Sequence, residues 1–210
     1  NTRKLGTINF KGKFDGFYSD FVAFGEVNTS LGYVNTDINL KMSPDGVPSY
    51  SGKINAKNFK IGEWFDLQNQ IGAVSLTANV NGTGVKLESL DATITGKIQS
   101  ITVKGYTYTN MDIDGSLKNK FFEGHAKIDD ENLKMSFDGL VDATQKKPVY
   151  DFTASLGKIN LKALNLSKLD YVLSGNLKSN FTASTIDNIL GQLDIDSFTI
   201  NSQGKNYKLN

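Results

Sequence analysis

The side chains that could do acid–base or metal chemistry are few and scattered. The chain has one histidine, His125, and no cysteine. His125 stands between Gly124 and Ala126, out of phase with the apolar residues around it, and reads as a solvated surface residue. With no thiol and one imidazole, neither a Ser-His-Asp nor a Cys-His nucleophile finds support in the spacing. Asp129-Asp130-Glu131-Asn132 gathers carboxylates but lacks the alternating ligand positions of a calcium loop, so it reads as a solvated hairpin turn. Asn81-Gly82-Thr83-Gly84 resembles the opening of a phosphate loop, yet it leads into no helix and lacks a Gly-Lys-Ser/Thr ending. Asn-x-Ser/Thr triplets begin at Asn28, Asn81, Asn165 and Asn180, and they matter only where the source glycosylates. No metal and no cofactor is expected, and the chain does not read as an enzyme.

Composition narrows the remaining classes. The 210 residues are 39% hydrophobic and 21% charged, enough for a core and without the signature of disorder. Twenty-three basic against 22 acidic residues leave a formal charge of +1, so no electrostatic footprint for nucleic acid is present. Absence of cysteine excludes disulfides and suits a bacterial envelope protein as well as a cytoplasmic one. The apolar runs fall far short of the roughly 18–20 residues that span a bilayer as a helix. The chain opens at Asn1 with no apolar leader, as expected of a piece excised from something longer.

What must position these residues is a set of strands. Met111-x-Ile113-x-Gly115-x-Leu117, Leu133-x-Met135-x-Phe137-x-Gly139, Ile38-x-Leu40-x-Met42, Leu76-x-Ala78-x-Val80 and Leu193-x-Ile195 alternate apolar with polar residues. Such alternation gives each strand one greasy and one wet face. About a dozen segments of this kind, separated by Gly, Asn, Asp and Ser clusters, predict an antiparallel all-β chain. Helical signals are confined to Ser184–Leu190, where Gly191 follows as a stop signal, and to a turn or two in 62–72 and 161–169.

The strands also repeat. Gly12 and Phe14 match Gly115 and Leu117; Pro48-x-Tyr50 matches Pro148-x-Tyr150; Phe59-x-Ile61 matches Ile159-x-Leu161. Leu76-x-Ala78-x-Val80 matches Leu173-x-Gly175-x-Leu177, and Gly96-x-Ile98 matches Gly191-x-Leu193. The matches are collinear and about 100 residues apart, a tandem repeat longer than the usual solenoid unit. Two modules are expected, 1–108 and 109–210, forming one continuous structure. One-faced strands can hide their apolar side in a sandwich, a closed barrel or a curled sheet. Gly12, Gly115, Gly139 and Gly175 all fall in the apolar phase, where they make room for sharp bending. That favours an elongated, curled antiparallel sheet, an open half-pipe or taco-like groove with an apolar inner face and at most a few short helices. The residues expected on that face are Ile8, Phe10, Phe14, Ile38, Leu40, Leu76, Val80, Met111, Ile113, Leu117, Met135, Phe137, Phe152, Leu173, Leu193 and Ile195.

Several stretches carry a family resemblance. They are Lys104–Gly115 (KGYTYTNMDIDG), Phe122-x-Gly124, Asp130–Asp142 (DENLKMSFDGLVD), Pro148–Phe152 (PVYDF) and Ser184–Ile195 (STIDNILGQLDI). Together they resemble the periplasmic β-repeat region of AsmA/TamB-like proteins, most closely those of the Bacteroidetes, and the resemblance runs over essentially the whole chain. It implies a periplasmic segment of a parent anchored in the inner membrane, with a groove that carries phospholipid acyl chains between inner and outer membranes and supports outer-membrane biogenesis. It also implies partnership with a TamA-like outer-membrane barrel protein, and no catalytic residues. Isolated fragments could dimerise by burying two troughs face to face.

Two other readings remain. A non-catalytic cell-surface β-repeat scaffold or adhesin module predicts a dry, closed core with exposed aromatics such as Tyr33, Trp64, Tyr106 and Tyr108. An outer-membrane barrel shares the alternation, but neither aromatic girdles nor alternating long loops and short turns are seen.

Overall fold

The computed structural model describes residues 2–17, 19–183 and 189–209. Alternation decides nearly all of it: thirteen strands follow one another in a single sheet whose spatial order is the sequence order, each antiparallel to the last. They are β1 Asn9–Phe17, β2 Asp20–Thr29, β3 Gly32–Met42, β4 Pro48–Phe59, β5 Ile71–Thr83, β6 Asp91–Val103 and β7 Tyr106–Lys118. After them come β8 Phe121–Asp129, β9 Leu133–Asp142, β10 Val149–Asn160, β11 Tyr171–Ala183, β12 Ile189–Ser202 and β13 Lys205–Leu209. Extensive strand-to-strand contacts run between sequence neighbours and β1 does not pair with β13, so the sheet is open, with β1 and β13 at its edges.

Helix is scarce for a physical reason: period-two sequences bury nothing as helices. A single-turn α1, Ile61–Phe65, joins β4 to β5 and ends at Asp66 in the left-handed conformation (φ 62°). A 3₁₀ turn covers Thr2–Leu5, and Lys4 ties it to α1 by an ion pair with Asp66 at 2.6 Å. The expected turn at 161–169 is a bonded loop, in which the Leu164 N–H donates to the Asn160 carbonyl at 3.0 Å. Of the short helix expected at 184–190, residues 184–188 lie outside the described residues, and Ile189 and Leu190 open β12 instead.

Residues directly opposed across a ladder share a face, and the register makes that face continuous. One row runs Phe14, Ala23, Ile38, Gly52, Val80, Ile94, Gly115, Gly124, Gly139, Phe152, Ser179, Leu193. Beside it runs Gly12, Gly25, Thr36, Ile54, Ala78, Gly96, Ile113, Ala126, Phe137, Ala154, Leu177, Ile195. Two further rows flank these, one through Leu40, Tyr50, Leu117 and Phe122, the other through Leu76, Ile98, Met111 and Ile128. The opposite face is wet and is laced by ion pairs between directly opposed residues, among them Lys118–Asp91 at 2.7 Å, Lys134–Asp129 at 2.9 Å, Lys41–Asp20 at 3.1 Å and Lys97–Asp112 at 3.7 Å.

The rows are periodic. Phe14, Ala23, Ile38, Gly52, Val80 and Ile94 are followed in the next six strands by Gly115, Gly124, Gly139, Phe152, Ser179 and Leu193, a spacing of about 100 residues. The partner of Phe14 by row is therefore Gly115, where alternation matched it to Leu117. Likewise the partner of Ala78 is Leu177 in place of Gly175, and that of Gly96 is Ile195 in place of Gly191. A pattern of period two can slip by an even number of residues without changing face, so phase alone could not fix these matches.

Curl comes from bulges and glycines. Register shifts interrupt the β4–β5 ladder between Ala56 and Phe59 and the β10–β11 ladder between Leu156 and Ile159. Asn58 and Asn110 take positive φ (48° and 53°), a conformation asparagine tolerates better than most residues. At Gly52 (φ 142°) and Gly139 (φ 145°) the backbone adopts a geometry L side chains avoid. A Cβ there would lie 2.1 Å from the Asp37 carbonyl oxygen and 2.3 Å from that of Asp151.

Candidate functional site

The apolar face is the candidate site, and its lining is built by the ladder itself. Of the sixteen residues expected there, Phe14, Ile38, Val80, Phe152 and Leu193 share one row, and Ile113, Phe137 and Ile195 its neighbour. Leu40 and Leu117 lie in the third row; Phe10, Leu76, Met111 and Met135 lie in the fourth. Leu173 lies beyond the β10–β11 bulge and faces Ile159 and Ile200. Ile8 precedes β1, has no ladder partner among the described residues, and is exposed.

Depth varies along and across this face. The row through Leu76 is the most enclosed, with Leu76, Ile98, Ile128 and Leu156 all buried. Two small cores sit there, one of Ala56, Val74, Leu76, Ala78 and Ile98, the other of Ile128, Leu133 and Leu164. Each is capped from a connection rather than a strand: Ile61 of α1 packs on the first, and Leu164, 1% exposed, closes the second. Toward the ends of the sheet the lining opens. Phe14 is 54% exposed, Leu193 42% and Ile195 48%.

The lining is chemically plain. No carboxylate and no amine occurs in the four rows. The two aliphatic hydroxyls in the central rows are turned back onto the protein: Ser179 Oγ donates to the Phe152 carbonyl at 3.3 Å and Thr36 Oγ1 to the Ala23 carbonyl at 3.2 Å. Burial pushes the Tyr50 hydroxyl pKa up, and the nearby Asp91 charge adds to the shift. Aromatic rings roof the glycines, with Phe122 and Phe137 6.1 Å apart, Phe137 and Phe152 5.1 Å apart, and the Phe122 ring lying where a Gly115 side chain would go. Rings over inner-face glycines restore the apolar surface that glycine lacks.

Alternation missed the caps, because Ile61 and Leu164 sit in connections with no period. It also missed that phase inverts past each bulge. Phe59, Ile101, Tyr106 and Tyr108 therefore pack against the cores. Tyr33, Trp64, Tyr106 and Tyr108, the aromatics an adhesive surface would present, are all half-buried.

The polar candidates divide. His125 is on the wet face and exposed, with Nδ1 3.3 Å from Asp138 Oδ2. Asp130 is not part of a solvated turn: it is 3% exposed. Its carboxylate accepts from the Tyr106 hydroxyl at 2.5 Å, Thr109 Oγ1 at 2.7 Å, the Asn132 N–H at 2.9 Å and the Thr109 N–H at 3.1 Å. Among the described residues no cluster of three His, Asp or Glu side chains could hold a metal ion, and no helix is long and apolar enough to cross a membrane.

Comparison with family models, with curated proteins and with solved structures returns no match. The functional reading therefore rests on this geometry and on the sequence resemblance.

Proposed function

We propose that the chain is a stretch of an AsmA/TamB-like periplasmic bridge whose groove carries phospholipid acyl chains between the inner and outer membranes. The observation that carries this reading is the set of four charge-free rows crossing the strands, three of them unbroken from β1 to β12 and the fourth from β1 to β11. An acyl chain gains roughly 0.8 kcal/mol per CH₂ on leaving water for such a surface. A lining without polar anchors holds no single position along the tail, so the chain can slide while its head group stays in solvent. The protein does no covalent chemistry here. Its parent is anchored in the inner membrane and works with a TamA-like outer-membrane barrel protein in outer-membrane biogenesis.

The test is photocrosslinking in cells, with a photoreactive residue at Phe137 or at Asp138. Phospholipid adducts at Phe137 and none at Asp138 are the expected result. Adducts at neither position, or equally at both, would favour a cell-surface scaffold instead.

A further inference from the structure

We propose that this chain assembles head to tail, the β1 edge of one copy pairing with the free edge of β12 in a second copy. The proposal is independent of what the groove carries. It starts from the internal junction between the two halves, where β6 pairs with β7 over its whole length. By row, β12 stands where β6 stands and β1 stands where β7 stands, one repeat removed. Both surfaces are open. β1 pairs only with β2 and is exposed along its length, while β13 covers only Phe198–Ser202 of β12.

The internal junction supplies the register. There Ile94 faces Gly115, Gly96 faces Ile113, Thr95 faces Asp114 and Lys97 faces Asp112, the last as an ion pair. Transferring these pairs places Leu193 opposite Phe14 and Ile195 opposite Gly12 on the apolar face. On the wet face it places Asp194 opposite Lys13 and Asp196 opposite Lys11. None of these four charged residues makes an ion pair among the described residues, although four opposed Lys–Asp pairs bridge three strand junctions elsewhere on this face. The exposed Phe14, Leu193 and Ile195 would be covered in the same step.

The charges also exclude the wrong pairings. Charged edges usually keep sheets apart. Here the transferred register sets Lys11 and Lys13 against Asp196 and Asp194, whereas β12 against β12 brings carboxylates together. Such an interface is heterologous and does not close on itself, so dimers should grow into longer chains with three of the four rows continuous across each joint.

The experiment is sedimentation of the wild-type chain over a concentration series, beside two surface variants. Lys11→Glu with Lys13→Glu makes both edges acidic; Asp194→Lys with Asp196→Lys makes both basic. The expected result is self-association of the wild type, weakened at least about tenfold in each variant and restored when the two variants are mixed. Because the chain has no cysteine of its own, Asp15→Cys on one copy and Gln192→Cys on another report the register directly. By the Thr93–Ser116 pair these two positions are opposed, and they should form a disulfide that Asp15→Cys does not form with Lys57→Cys on β4. A wild-type chain monomeric at every concentration overturns the proposal. So does association indifferent to both charge reversals, or cross-linking equal at Gln192 and Lys57.

Discussion

Tyr106 donates its hydroxyl to the buried carboxylate of Asp130 at 2.5 Å, joining the start of β7 to the turn between β8 and β9. The same carboxylate holds Thr109 next to the positive-φ residue Asn110 of β7. Tyr106 and Tyr108 can then stack edge to face, 4.8 Å apart, against the core that Leu164 caps. Asp130 is thus the polar lock of an otherwise apolar corner. A buried charge is tolerable there because four donors surround it.

This lock makes stability depend on pH. Burial alone would raise the Asp130 pKa, but hydrogen bonds from Tyr106, Asn132 and Thr109 outweigh it and hold the group below the ordinary carboxyl value of 3.8. A lowered native pKa means the unfolded chain takes up the proton first. The contribution of Asp130 is therefore complete above pH 3.8 and is lost as pH falls through its lower native value. Urea unfolding of wild type and Asp130→Asn at several pH values should show the variant less stable by about 2–4 kcal/mol at pH 7. The gap should narrow in acid. A constant gap would mean that the Asp130 carboxyl titrates alike in the folded and unfolded chain.

Replacing Gly139 by Val should cost more than about 3 kcal/mol. The backbone sits at φ 145°, and the new Cβ would meet the Asp151 carbonyl oxygen at 2.3 Å and Phe152 Cα at 2.5 Å. Gly46, at φ 75° in the β3–β4 turn with nothing within 4 Å, is the control. Its change to Ala should cost only about 1 kcal/mol, the price of the backbone conformation alone. Denaturation midpoints that fall equally would show that close strand approach is not what the inner glycine serves.

The fold was legible because one signal, period two, dominates the chain, and a single-layer sheet needs little else. Met111, Ile113 and Leu117 could be assigned to one face from sequence, since no bulge separates them. Asp130 could not. Four neighbouring polar letters read as a solvated turn, and only the return of Tyr106 from β7, 24 positions earlier, makes one of them a buried acceptor. Leu164 was illegible for a related reason: a loop leucine shows its role only when the loop folds back over β8 and β9.

The two depths of the lining should separate by mutation. Leu76 is buried within the first core, so Leu76→Ala should lose about 2–4 kcal/mol. Leu193 is 42% exposed, and Leu193→Ala should lose less than about 1 kcal/mol. Thermal or urea unfolding of the purified chain decides it. Equal losses would mean that the end of the sheet is as closed as its middle, and no open lining would remain.

A charge in the lining should stop acyl binding without unfolding the sheet. Leu117 is half-buried in the row between Ala92 and Phe122, while its neighbour Ser116 is on the wet face opposite Thr93 and Glu123. Leu117→Asp places a carboxylate where a tail would lie, and moving hydrocarbon past it costs the apolar contact and desolvates the charge. Binding of a fluorophore-labelled fatty acid to the purified chain should fall about tenfold or more in Leu117→Asp and stay unchanged in Ser116→Asp. Circular dichroism should show both variants retaining their strands. Equal binding by the two variants would remove the apolar face as the route for lipid.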